Sequence, residues 1–132
     1  MKRLTAMLMV LGLFVALPAV ATPASDTLLA RYKAEGAKAP DAAKAKKDWT
    51  REEVVEGEKM SCATCHGTDF SKPGKHHRTG KVIEPMSMKV NAERYSDVKK
   101  IEKWFKRNCK DAWGRECTVQ EKADFLTFML AQ

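Results

Sequence analysis

Cys62-Ala63-Thr64-Cys65-His66 constrains this chain more than any other segment. In C-x-x-C-H, two thiols three positions apart can each add to a vinyl group of a porphyrin, and the histidine that follows can reach its iron. The motif is the attachment signal for a c-type haem. Two other chemistries use a C-x-x-C pair. Structural zinc needs four ligands, and no second C-x-x-C or H-x-x-x-H lies at a suitable distance. A thioredoxin-like dithiol opens a helix after a buried strand, whereas Glu56-Gly57-Glu58-Lys59-Met60-Ser61 before the motif is polar. The spacing therefore points to one covalent haem c, on Cys62 and Cys65, with His66 as the proximal iron ligand.

The first residues agree with that chemistry. Lys2 and Arg3 precede an apolar run from Ala6 to Leu17, and Ala19-Val20-Ala21 offers small residues at a cleavable spacing, the pattern of a secretory signal peptide over residues 1–21. The uncharged stretch from Leu4 to Pro18 is shorter than the roughly 18 to 20 residues that cross a bilayer. The expectation is a mature domain over residues 22–132, in the periplasm, with no membrane span. Without Lys2 and Arg3, 22 basic residues face 17 acidic ones, a formal charge of +5.

Once the haem takes its pair, Cys109 and Cys117 remain of the four cysteines. In an oxidising compartment they are expected to join. Closing so short a ring is worth about 2.5 kcal/mol in the chain-entropy model. The ring starts directly after Asn108 and so also limits where that side chain can go.

The rest reads as almost wholly helical. Ser25 can cap a helix through Ala34, and Asp41 to Trp49 is rich in alanine and lysine, with Trp49 as an apolar anchor. Thr50 to Ser61 is expected to form a turn or short helix. Gly67 to Arg94 has no sustained period and is broken by Pro73-Gly74, Gly80 and Pro85, as suits a loop wrapped around a cofactor. Ser96 can cap a helix with Val98, Ile101, Trp104 and Phe105 on one face, a face that continues to Asn108. Thr118-Val119-Gln120-Glu121 is a capping box ahead of a stripe of Phe125, Leu126, Met129 and Leu130. No segment reads as a strand. The expected fold class is all-α, several short helices around one haem in the class I cytochrome c manner, with the porphyrin supplying core that so short a chain lacks.

The partner of the iron on its second face decides the function. A methionine there makes an electron carrier, and an open or weakly held position makes a ligand binder. Met86 and Met88 in the loop, His76 and His77 nearer the motif, and Asn108 on the helix are the candidates. On local grounds methionine ranks first. Histidines in Lys75-His76-His77-Arg78 suit solvent, and an asparagine near a helix end suits a cap.

From Cys62 to the C-terminus the chain resembles the sphaeroides haem protein family, asparagine-ligated, oxygen-binding c-type cytochromes. The matching residues are Cys62-x-x-Cys65-His66-Gly67, Arg78-Thr79-Gly80-Lys81, Ile83, Pro85, Glu102-Lys103-Trp104, Arg107-Asn108-Cys109, Gly114-Arg115-x-Cys117-Thr118 and Glu121-Lys122-Ala123-Asp124. Upstream, Leu28, Tyr32 and Ala39-Pro40 correspond more loosely. The resemblance implies that Asn108 binds ferric iron, that Cys109 pairs with Cys117, and that reduction frees the sixth position for dioxygen, nitric oxide or carbon monoxide. It also implies a dihaem cytochrome c as electron donor, fed from a membrane b-type cytochrome. The alternative is a simple His/Met electron-transfer cytochrome using Met86 or Met88. Redox turnover of the bound gas would make the protein an enzyme, and gas holding alone a binder.

Arg107 and Arg115 are candidates for the haem propionates, and Trp104 for a wall of the pocket. Lys72, Lys75, His76, His77, Arg78 and Lys81 make the loop after the motif basic, which suits an acidic electron-transfer partner. Nucleic acid is not an expected partner, and no constellation for hydrolysis or group transfer is present.

Overall fold

The computed structural model describes residues 21–132. The expected signal peptide, residues 1–21, lies outside the described residues except for Ala21. Five α-helices dominate, in the order α1 (Pro23–Ala34), α2 (Ala42–Trp49), α3 (Cys62–His66), α4 (Val98–Trp113) and α5 (Val119–Leu130).

Helix α1 starts at Pro23, before the expected cap. Thr22 Oγ1 accepts the Ser25 N–H at 3.0 Å and Ser25 Oγ accepts the Thr22 N–H at 2.8 Å, so Ser25 is the third helical residue and Thr22 is the cap. Proline suits the first helical position because its missing N–H would find no partner there. Helix α4 is capped by Asp97, whose carboxylate accepts the Lys100 N–H at 2.7 Å. Ser96 instead closes the preceding 3-10 turn over Ala92–Tyr95 by donating to the Glu93 carbonyl. The reciprocal capping box of α5 is as the sequence predicts, with Thr118 Oγ1 on the Glu121 N–H at 3.1 Å and Glu121 on the Thr118 N–H at 2.8 Å.

The expectation of a turn or short helix before the motif is corrected. Strands β1 (Glu53–Val55) and β2 (Glu58–Met60) form an antiparallel hairpin. Glu56 and Gly57 make its two-residue turn with φ of 53° and 85°, the double left-handed bend that matches the twist of a hairpin. Three-residue strands show no alternation, so only Val54-Val55 and the glycine signalled them. A second ladder, β3 (Gly74–Lys75) with β4 (Val82–Ile83), pins the irregular segment after α3.

The core lies between α1, α2 and α5, with Leu28, Tyr32, Trp49 and Leu126 deeply buried. Glu102 of α4 ties three helices together, accepting from the Tyr32 hydroxyl of α1 and from Lys122 of α5 at 2.9 Å. Burial works against the Glu102 carboxylate, but these two donors outweigh it and hold it below the usual range. Asp41 caps α2 with its carboxylate, which accepts the Lys44 N–H, and its own N–H donates to the buried Asp124 of α5 at 2.8 Å. Among the described residues no helix is long and apolar enough to cross a membrane.

Two outcomes follow from this packing. Leu28 is completely buried, so Leu28→Ala should lower the unfolding free energy of the holoprotein by about 2–5 kcal/mol, read by guanidinium titration. Glu121 is the second case. Burial raises its carboxyl, but Arg115 and the Thr118 N–H outweigh burial and hold it down to about 2, against an ordinary 4.5. A depressed carboxylate stabilises the fold above its unfolded value and loses that contribution as pH falls through the window between 4.5 and about 2. Thermal melts should therefore decline across that window, and the decline should be shallower in Glu121→Gln.

Candidate functional site

Helix α3 is a single short turn that carries all three attachment residues. Its entry is fixed by the Ser61 N–H donating to Thr64 Oγ1 at 2.9 Å, and its exit by Gly67. Cys62 and Cys65, one turn apart, are unpaired thiols, whereas Cys109 and Cys117 are joined with their Cα atoms 5.5 Å apart. Before any bond to haem forms, burial pushes the Cys62 thiol up to about 12.

His66 is buried, and burial, reinforced by the positive charge of Arg94 and His76, pushes it down to about 4. A neutral imidazole is the form that can ligate a metal. Its ring lies 5.6 Å from that of Trp49, whose indole N–H donates to the Gly67 carbonyl at 2.7 Å. Phe70, Phe125 and Phe128 surround Trp49, so α2, α5 and the loop after α3 build an aromatic floor beneath the histidine. Nδ1 of His66 is buried without a hydrogen-bond partner.

Cys62, Cys65, His66, Met86 and Asn108 all line one cleft that is partly open to solvent. Asn108, Phe105 and Trp104 reach it from α4. Met88 packs against the core and does not line the cleft. Met86 does line it, from a segment tied to the floor of His66. The Ser87 N–H donates to the Phe70 carbonyl at 2.8 Å, and Phe70 packs on Trp49 at 5.1 Å.

Other expectations sort by charge. His77 sits 2.7 Å from Glu58, and His76 stands at the rim of the cleft, 3.7 Å from Asp111. Arg115 is corrected as a propionate candidate, since its two terminal guanidinium nitrogens donate to Glu121 at 2.8 and 2.7 Å. Arg107 is exposed, 5.9 Å from the Trp104 ring. Arg94 and Trp113 are among the lining residues that escaped sequence reasoning. Arg94, bound to the Glu84 carbonyl at 2.9 Å, comes from a polar stretch with no pattern. Trp113 has its indole nitrogen buried without an acceptor, and nothing local marks it as a wall of the site.

These residues fit a covalent haem. Two thiols and a neutral imidazole open on one apolar cleft, and two buried ring nitrogens at its wall lack the partners that buried polar atoms require. Gly74 also leaves room that nothing larger can share, since a Cβ there would stand 2.3 Å from the Cys65 carbonyl.

The profile of a family described as a domain of unknown function, DUF1924, matches residues 35–129. The structure superposes on oxidised SHP, an oxygen-binding cytochrome c, with a TM-score of 0.73 and 37% identity over 82% of this chain and 96% of that one. The chain belongs to the sphaeroides haem protein family. In sequence it is 46% identical over 72 residues to the cytochrome c-type protein SHP of Cereibacter sphaeroides, covering 54% of this chain and 55% of that protein. It is 37% identical over 76 residues to cytochrome c″ of Methylophilus methylotrophus, covering 58% and 53%. These alignments span about half the length of both relatives. Oxidised cytochrome c″ superposes with a TM-score of 0.72 and 29% identity over 83% and 94% of the two chains. Its solution structure, with a TM-score of 0.70 and 30% identity over 82% and 93%, bears on haem-ligand detachment in that protein. The fold of this family member is thus the class I cytochrome c fold, and it carries one covalently attached haem c.

Gly74→Ala should push β3 away from α3 and lower the yield of covalent holoprotein severalfold in a maturation-competent host. Haem-stained gels against total protein measure this, with Gly80→Ala, where the nearest atom is the flexible Lys75 side chain, as the milder comparison.

Proposed function

We propose that the protein is a periplasmic, gas-binding cytochrome c that opens its own binding position when it is reduced. Cys62 and Cys65 hold the haem as thioethers, His66 is the proximal ligand, and Asn108 occupies the sixth position of the ferric form. The haem supplies a one-electron couple and a coordination position that a small ligand can take. The observation that carries the reading is that Asn108 faces the same cleft as His66 from a separate element, α4, whereas Met86 rises from the segment fastened to the floor of His66.

The donor itself supplies the redox dependence. A carboxamide oxygen is hard and weak, acceptable to Fe(III) and poorly matched to the softer Fe(II), so Asn108 is retained on oxidation and released on reduction. The Cys109–Cys117 pair holds the backbone beside Asn108 in place, so release is a side-chain movement and not a shift of α4. Trp104, Phe105 and Leu126 keep the vacated space apolar, which favours dioxygen, nitric oxide or carbon monoxide over water. Removal of residues 1–21 on export would deliver the domain to the compartment where haem c is attached. A dihaem cytochrome c, drawing on a membrane b-type cytochrome, is the electron donor that suits this place. Ligand detachment in cytochrome c″ and oxygen binding in SHP support the reading.

Asn108→Ala should alter the ferric absorption and electron paramagnetic resonance spectra while carbon monoxide still binds the ferrous form, which Asn108 has already left. Met86→Leu should leave both unchanged. Unaltered ferric spectra in Asn108→Ala, together with loss of a thioether signature in Met86→Leu, would return the protein to a His/Met electron carrier that carbon monoxide does not enter. Steady consumption of nitric oxide under oxygen, with electrons supplied, marks an enzyme and its absence a binder.

A further inference from the structure

The basic loop after the motif is where a docking face is expected, yet its charges are largely spent within the chain. Lys72 pairs with Asp69 at 3.5 Å, His76 faces Asp111 at 3.7 Å, His77 sits on Glu58 at 2.7 Å, and Arg78 on Glu56 at 2.7 Å. Helix α4 is different. It carries six basic residues against Glu102 and Asp111, and both acids are turned to partners elsewhere, Glu102 to Tyr32 and Lys122, Asp111 to Arg78.

Lys99, Lys103, Lys106 and Lys110 follow one another at helical spacing along one stripe, and Lys100 and Arg107 lie on the next, one turn either side of Trp104. All six are exposed, and among the described residues only Lys110 has an acidic side-chain partner, Glu116 at 3.6 Å. Like charges three and four positions apart repel, so the arrangement works against the helix that carries it. Trp104 sits among them, 44% exposed, with Lys103 Nζ 5.4 Å from its ring. The same side chain lines the cleft. One residue thus borders both solvent and the haem site, inside a patch of uncompensated positive charge.

We infer that the α4 face centred on Trp104 is the docking surface for an acidic one-electron donor protein, with Lys99, Lys100, Lys103, Lys106 and Arg107 binding its carboxylates. The inference deepens the proposed function and rests on its redox half. The step transfers one electron from the donor, which is oxidised, to the ferric haem, with no bond made or broken in the contact. Positive potential concentrated at one edge of the cleft steers a negatively charged partner there and raises its association rate, an effect that salt removes. A large aromatic ringed by cations suits the centre of such a contact, apolar where the patches meet and charged at the rim.

The test uses the oxidised holoprotein and stopped-flow reduction by two donors, a reduced plant-type ferredoxin as the acidic protein probe and reduced methyl viologen as a small cationic one. Wild type should react with ferredoxin at a rate that falls steeply with ionic strength. Lys99→Glu/Lys103→Glu/Lys106→Glu should lose about tenfold or more of that rate and most of its salt dependence. Its viologen rate should hold or rise, showing that fold and haem are intact. The loop variant Lys72→Glu/Lys75→Glu/Lys81→Glu should stay within about twofold of wild type. Equal loss in the loop variant, or none in the α4 variant, overturns the assignment. So does sedimentation with phosphatidylglycerol vesicles at physiological salt that needs the α4 lysines while ferredoxin shows no preference, since the face would then be a lipid-binding one. Failure of viologen to reduce the haem would refute the redox reading itself. Reduction without carbon monoxide binding would refute gas binding and leave the docking surface standing.

Discussion

Everything near the haem site depends on Trp49. Its ring gathers Phe70, Phe125 and Phe128 and stands 5.6 Å from His66, and its N–H fixes the Gly67 carbonyl just past the attachment helix. A five-residue helix cannot hold its own geometry, because so short a helix gains few hydrogen bonds for the residues it orders. The floor supplied by α2 and α5 holds it instead. It also keeps the imidazole dry and therefore neutral, and in this way packing far from the motif sets the chemistry of the motif.

The opposite wall is governed by α4. Its inner face presents Phe105 and Asn108 to the cleft, its outer face is charged, and Trp104 lies at the boundary between them. Glu102 fastens the helix to α1 and α5, and the Cys109–Cys117 link fastens its last turn to the start of α5. Asn108 is therefore carried by a well-anchored element of the fold.

Much of the fold was legible in the sequence because the signals were local. The capping box at Thr118 forms within one helical turn, and such a contact needs no distant partner. Where two neighbouring residues competed for the same task, sequence reading chose wrongly. Thr22 and Ser25, or Ser96 and Asp97, are both competent caps, and the choice fell to Pro23 in one case and to the 3-10 turn in the other. The hairpin before the motif was missed because strands of three residues carry no period, and its turn is made by a glutamate in a conformation that asparagine or glycine adopts more readily.

The sequence by itself determined the covalent chemistry. Two cysteines and a histidine at fixed spacing on one turn define a haem attachment whatever surrounds them, and the two remaining cysteines had only each other. Tertiary structure decided what spacing cannot express, namely which donors share the cleft and which charges are already answered. Met86 and Met88 are two residues apart, yet only Met86 reaches the cleft. Arg115 is bound to Glu121, and His76, His77 and Arg78 of the loop meet acidic partners from other segments, whereas Lys99, Lys100, Lys103, Lys106 and Arg107 of α4 meet none among the described residues. Coulomb and packing terms depend on distances between segments far apart in the chain, and those distances exist only once the chain has folded.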